Sequence, residues 1–134
     1  MRAILDTNVL NSAYVFPGGA PETVYRLALE GLLEIGTSQV LLNEFDRVLH
    51  DKFNWAGPQI EAAVAQLRRI AAMVQPTEQV HVVAADPTDD RVLEAALTFG
   101  AEVIVSGDRH LLGLGRWRHV AMLSPAEFLA RWTA

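Results

Sequence analysis

Apolar and polar residues along the chain fall into short blocks of two kinds. Ala3-Ile4-Leu5 is an unbroken apolar run that gives way to Asp6-Thr7-Asn8. That pattern predicts a strand buried on both faces, with polar residues where it leaves a sheet. No element is assigned from there to the break at Pro17-Gly18-Gly19. From about Pro21 to Leu33, the residues Val24, Leu27, Ala28, Gly31 and Leu32 recur at helical spacing. Pro21 falls near the first turn, where a missing N–H costs little. Glu34-Ile35-Gly36-Thr37 reads as a second short strand, and Ser38 suits an N-cap for a helix running to about Phe53. Leu41, Phe45, Val48 and Leu49 share one face of that helix.

Gly57-Pro58 opens a further helix with Ile60, Val64, Leu67, Ala71 and Val74 as its apolar stripe, ended by Gln75-Pro76. Val80-His81-Val82-Val83 is a third strand candidate. Asp86-Pro87 starts a helix that closes at Gly100, a suitable C′ residue. Val103-Ile104-Val105 and Val120 to Leu123 are the remaining strands, and Ser124-Pro125 caps a terminal helix carrying Phe128, Leu129 and Trp132. Strands alternating with helices imply an α/β fold with a mainly parallel sheet of about five strands. Right-handed crossovers place all strand exits on one edge, where ligand sites of open α/β sheets gather.

Composition narrows the class. Of 134 residues, 51% are hydrophobic and 20% charged, so the chain folds and is no disordered tail. A chain of this length buries roughly two-thirds of its unfolded surface, enough for one core, and a single domain over 1–134 is expected. Cysteine is absent, which excludes disulfides, thiolate zinc sites and thiol nucleophiles. No apolar run reaches the roughly 18 residues of a membrane span or the about 7–15 of a secretory signal, so a soluble cytoplasmic protein is expected. Eleven basic against 16 acidic residues leave a net charge of −5, unlike a nonspecific nucleic-acid coat.

The acids are not scattered evenly. Asp6 and Asp108 end apolar strands, while Glu44 and Asp90 lie in the first turns of helices that follow strands. The topology turns all four towards one sheet edge, where unpaired carboxylates repel one another unless a cation sits among them. Hard divalent ions with oxygen ligands, Mg²⁺ or Mn²⁺, fit such a set, and zinc has no obvious site. Each acid also has an ordinary explanation, since acids in a first turn stabilise a helix by about 0.3–1 kcal/mol. At the helix after Val83, Asp86 and Asp89 compete with Asp90 for that capping role.

Four segments now resemble a known family. Leu5-Asp6-Thr7-Asn8-Val9 is similar to the opening motif of PIN-domain ribonucleases, and SQVLLNEF (38–45) to their second motif, with Glu44 at its acidic position. DPTDDRVLEAAL (86–97) resembles the third and VSGDRHLL (105–112) the fourth. The resemblance runs in order through nearly the whole chain and is strongest to toxins of toxin–antitoxin pairs. It implies a three-layer PIN-like fold and hydrolysis of RNA phosphodiesters with Mg²⁺ or Mn²⁺ held by Asp6, Glu44, Asp90 and Asp108. Asp90 is preferred to Asp89 because it places Leu93 and Ala96 on the buried face. Thr7 and Ser106 match small hydroxyl positions around the site, and Asn8 a polar position that supports the first Asp. Ser106 replaces a more usual Thr, and His110 stands where an Asp is common.

Arg91 and Arg109 flank two of the acids and are the best candidates for phosphate contacts, with His110 near enough in sequence to touch the site. Arg116-Trp117-Arg118-His119 interleaves basic and aromatic residues as single-strand binders do, though a loop around a partly buried Trp has the same pattern. The resemblance further implies an RNA substrate and a cognate antitoxin as partners. The apolar stripes after Pro21 and Pro58 serve a homodimer or the core equally well. Two other readings stay open: a PIN nuclease of RNA processing, and a non-catalytic PIN-like binding or scaffold module. A receiver or phosphatase domain would want a Lys downstream of an Asp nucleophile, and Lys52 is the one Lys in the chain.

Overall fold

A computed structural model describes residues 1–132 of the chain. Its elements run β1 (Arg2–Leu5), α1 (Thr7–Val15), α2 (Ala20–Leu29), β2 (Glu34–Ser38), α3 (Gln39–Asp51), α4 (Gly57–Ile70), β3 (Ala71–Val74), α5 (Pro87–Phe99), β4 (Val103–Val105), α6 (Arg109–Leu112), β5 (Arg116–Trp117), β6 (Val120–Leu123) and α7 (Pro125–Arg131). Among the described residues the strands form one six-stranded sheet in the order β3-β2-β1-β4-β6-β5. Every pairing is parallel except β5 with β6. Helices cover both faces, which gives the expected three-layer α/β architecture. Among the described residues no helix is long and apolar enough to cross a membrane.

The apolar runs explain this arrangement. Ala3, Ile4 and Leu5 of the central strand are buried, with neighbours pointing to opposite faces. On one face Ala3 and Leu5 join Val9, Val24, Phe45, Leu49, Leu67 and Phe128 from five helices; on the other Ile4 and Ile104 join Leu93, Ala96 and Leu111. Helix α5 lies so close to β2 that a Cβ on Gly36 would sit 2.8 Å from the Phe99 ring. Caps mark the boundaries: Ser38 Oγ accepts from Leu41 N at 3.3 Å, and Gly100 closes α5 in the left-handed region at φ 72°.

Three expectations change. Residues 7–15, unassigned from sequence, form α1, because Asp6 caps it and Val9, Leu10 and Ala13 bury one side. The helix after Gly57 stops at Ile70, and Ala71–Val74, expected as the end of its stripe, is strand β3 alongside β2. An apolar run at the open edge of a sheet gains a ladder there that a helix end does not offer. Val80–Val83, expected as a strand, is irregular: Val80 and Val83 are buried, but their N–H groups and that of Val82 go to side chains of α5. Arg116-Trp117 forms the antiparallel β5, with the Arg118 guanidinium 4.6 Å from the Trp117 ring centre and 2.8 Å from Glu78.

Candidate metal centre

Parallel pairing of β1 with β4 puts Leu5 opposite Val105, so the next residues, Asp6 and Ser106, leave the sheet side by side. The Asp6 carboxylate is buried and heavily bonded. Its Oδ1 accepts from Thr7 N at 2.7 Å, and its Oδ2 accepts from Ser106 Oγ at 2.7 Å and Asn8 Nδ2 at 3.1 Å. Thr7 thus contributes its backbone N–H. Asn8 bridges the two strand ends, since its Oδ1 also accepts from Gly107 N at 3.2 Å. Ser106 Oγ in turn accepts from Asp108 N at 2.9 Å, and Asp108 caps α6 by accepting from His110 N at 2.7 Å.

Across from them, the first turn of α5 supplies two more acids. Asp86 is its N-cap, accepting from Thr88 N at 3.1 Å, and Asp89 lies one turn on. One carboxylate oxygen each of Asp86, Asp89 and Asp108 lie within 4.8 Å of one another. Asp89 is only 4% exposed, and its Oδ2 is buried without a hydrogen-bond partner. Burial first, and then the charges of Asp108, Asp86 and Asp6, push the Asp89 carboxyl up to about 7. Burial also raises Asp6, against the hydrogen bonds from Ser106 and Thr7, which lower it. Three carboxylates converging around the buried Asp89, whose Oδ2 has no hydrogen-bond partner, fit a hard divalent cation better than a soft one.

These acids line a cleft of about 330 Å³. Of the four acids expected from sequence, Asp6, Glu44 and Asp108 line it, and Asp90 does not. Asp90 Oδ1 accepts from Val82 N at 3.0 Å and Val83 N at 2.9 Å, so its carboxylate holds the irregular loop instead. The preference for Asp90 over Asp89 therefore misplaces the carboxylate that faces the cleft. Leu93 and Ala96 are buried as expected, but so is Val92, three residues after Asp89. Glu44 is half-buried and paired with Arg47 at 2.7 Å, outside the group of three. Asp86 and Asp89 were the acids missed. Their i, i+3 spacing puts both on one side of the helix start, a signal present in DPTDD.

The expected cations are placed unequally. Arg91 lines the cleft but is tied to Glu94 at 2.7 Å. Arg109 is exposed, and His110 contributes its backbone N–H; neither is among the described residues lining the cleft. Asn11, buried in the same wall, donates to Phe45 O at 3.1 Å, and its Oδ1 has no partner.

A pH effect follows from the raised Asp89. Its folded-state affinity for a proton exceeds the unfolded one, so the stability that Asp89 contributes to the metal-free protein is fully present below the ordinary value of 3.8 and is lost as pH rises through about 7. In EDTA the melting temperature is expected to fall between pH 5 and 8, and Mg²⁺ is expected to reverse the fall. A flat melting curve over that range in both conditions would contradict the cluster.

A family model described as PIN domain matches residues 2–110 of the chain. No curated protein matches it. Among solved structures, a chain in the crystal structure of VapBC2 from Rickettsia felis bound to a DNA fragment from their promoter has the same fold, with a TM-score of 0.64. The two are 12% identical, and the match covers 92% of this chain and 98% of that one.

Proposed function

Because the chain belongs to the PIN-domain family, we propose that it is a metal-dependent ribonuclease and the toxin of a toxin–antitoxin pair. The observation that carries the nuclease reading is the trio Asp86, Asp89 and Asp108 next to the buried Asp6, at the edge where parallel strands end. Asp86, Asp89 and Asp108 are the proposed metal ligands, with Asp6 beside them and Glu44 facing the same space from α3. These carboxylates would hold Mg²⁺ or Mn²⁺, which would supply a bound water of lowered pKa and positive charge near the leaving oxygen of a phosphodiester.

The remaining roles belong to the groups that hold these acids. Ser106 and Asn8 hold Asp6 in one orientation, and the Thr7 N–H keeps its second oxygen fixed. Asp108 is held by the His110 N–H. Arg47 restrains Glu44 at the cleft wall. A non-catalytic scaffold has no use for a buried carboxylate placed among three other carboxylates, which disfavours that alternative. The fold shared with a chain of VapBC2, crystallised on promoter DNA, and the likeness of the four motifs to toxins support the second half of the reading. The proposed partners are single-stranded RNA and a protein antitoxin, and the proposed compartment is the cytoplasm.

Purified protein is expected to cleave single-stranded RNA with Mg²⁺ or Mn²⁺, and to lose cleavage in EDTA or as Asp6→Asn. Equal activity of Asp6→Asn and wild type would overturn the site. A small reading frame just upstream whose product blocks cleavage would support the toxin role.

A further inference from the structure

One part of the cleft lining takes no part in the proposed chemistry. It is the wall formed by Phe16, Val40, Val48 and Phe53, with Lys52 among them. Phe16 is 59% exposed although it closes α1 next to the core. Phe16 and Phe53 meet edge to face, with ring centroids 5.7 Å apart at 81°. The exposure of Phe16 leaves its ring with surface open to a third π-system. Lys52 Nζ lies 5.4 Å from the Phe53 ring centre. Of the two cations lining the cleft, Arg91 is paired with Glu94, whereas Lys52 has no carboxylate partner among the described residues.

An open aromatic ring beside an uncommitted ammonium, continuous with an acidic centre suited to a phosphodiester, matches one polymer repeat: a base, then a phosphate. We infer that this wall is a stacking subsite for single-stranded RNA. Phe16, backed by Phe53, stacks a base beyond the two nucleotides joined at the scissile phosphate, and Lys52 pairs with the phosphate beside that base. Helix α1 spans nine residues between Asp6 and Phe16, a rise of about 13 Å, so the stacked base belongs to a neighbouring nucleotide and not to the one cut. Stacking tolerates any base, because each has a π-face, so this subsite favours unpaired RNA without reading its sequence. An apolar protein segment would use the rings but would leave Lys52 unanswered. The inference rests on the nuclease reading and adds where the strand lies.

The test is steady-state cleavage of a defined single-stranded RNA oligonucleotide by wild type, Phe16→Ala, Phe16→Trp and Lys52→Ala, with metal-dependent binding of the same RNA followed by fluorescence anisotropy. Removing one stacked base is worth about 5- to 150-fold in affinity. Phe16→Ala is expected to raise KM and Kd by at least about fivefold while kcat stays close to wild type, and Phe16→Trp to restore both. Lys52→Ala is expected to weaken binding and reduce the slope of log K against log salt by about 1. An oligonucleotide with one abasic site at the nucleotide next to the pair joined at the cut is expected to penalise wild type and leave Phe16→Ala indifferent. Both side chains lie at the surface, so melting temperatures separate a folding defect from lost stacking. Unchanged KM and Kd in Phe16→Ala and Lys52→Ala, with wild-type cleavage intact, would overturn the subsite alone; if the variants then lose the grip of a protein inhibitor, the wall serves that protein. Failure of wild type to bind or cleave RNA would overturn both readings.

Discussion

Asp89→Asn is expected to lower RNA cleavage on the order of a thousandfold, and Asp90→Asn by no more than a few-fold. The two changes remove the same charge from adjacent residues, so only placement separates them. Asp89 lies within 4.8 Å of Asp86 and Asp108 and keeps a buried oxygen without a partner. Losing it weakens the hold on a cation whose charge stabilisation is worth several kcal/mol, at about 1.36 kcal/mol per tenfold in rate. The Asp90 carboxylate is already spent on the N–H groups of Val82 and Val83. An Asn there retains an acceptor oxygen for both. Asp90→Ala removes it and is expected to cost about 1–3 kcal/mol of stability, the penalty for stranded buried donors. Metal-free Asp89→Asn is expected to melt higher than wild type near pH 8, because a carboxylate repelled by three neighbours has been neutralised. An inactive Asp90→Asn beside an active Asp89→Asn would refute this placement.

Phe45→Ala is expected to destabilise the protein by about 3–5 kcal/mol, read as a lower urea midpoint at an unchanged slope. Phe45 is 0% exposed and packs its ring against Tyr14, 5.6 Å between centroids. It therefore joins α3 to α1, and its carbonyl receives the Asn11 side chain. Folded domains are stable by only about 5–15 kcal/mol, so this loss leaves little margin. The effect reaches the cleft as well, since α1 brings Asn8 and Phe16 to it and α3 brings Val40 and Glu44. A loss below about 1 kcal/mol would mean that α1 and α3 are held together by other contacts.

Much of the centre was legible from the residues. Asp6 and Asp108 end apolar runs that are strands, and in a parallel sheet the exits share an edge by chain geometry. Ser38 and Gly100 marked helix ends because a cap needs only local backbone and its own side chain. The errors lie where two local patterns were equally good. Ala71–Val74 and Val80–Val83 are both short apolar runs next to breakers, and only the first lies beside β2. In DPTDD any of three acids satisfies the local preference for a helix start.

The net charge of −5 alone spoke against nucleic acid, but charge is a sum and a site is a location. By itself the amino-acid sequence determined the alternation of strands and helices, the mainly parallel sheet and the edge where acids collect. Those follow from periodicity and handedness, which act over a few residues and repeat at each crossover. Tertiary structure alone decided that Asp89 faces the cleft while Asp90 holds a loop. Neighbouring residues on a helix point about 100° apart, and which direction meets the cleft depends on how α5 is rotated by packing against the sheet, through contacts such as Phe99 on Gly36.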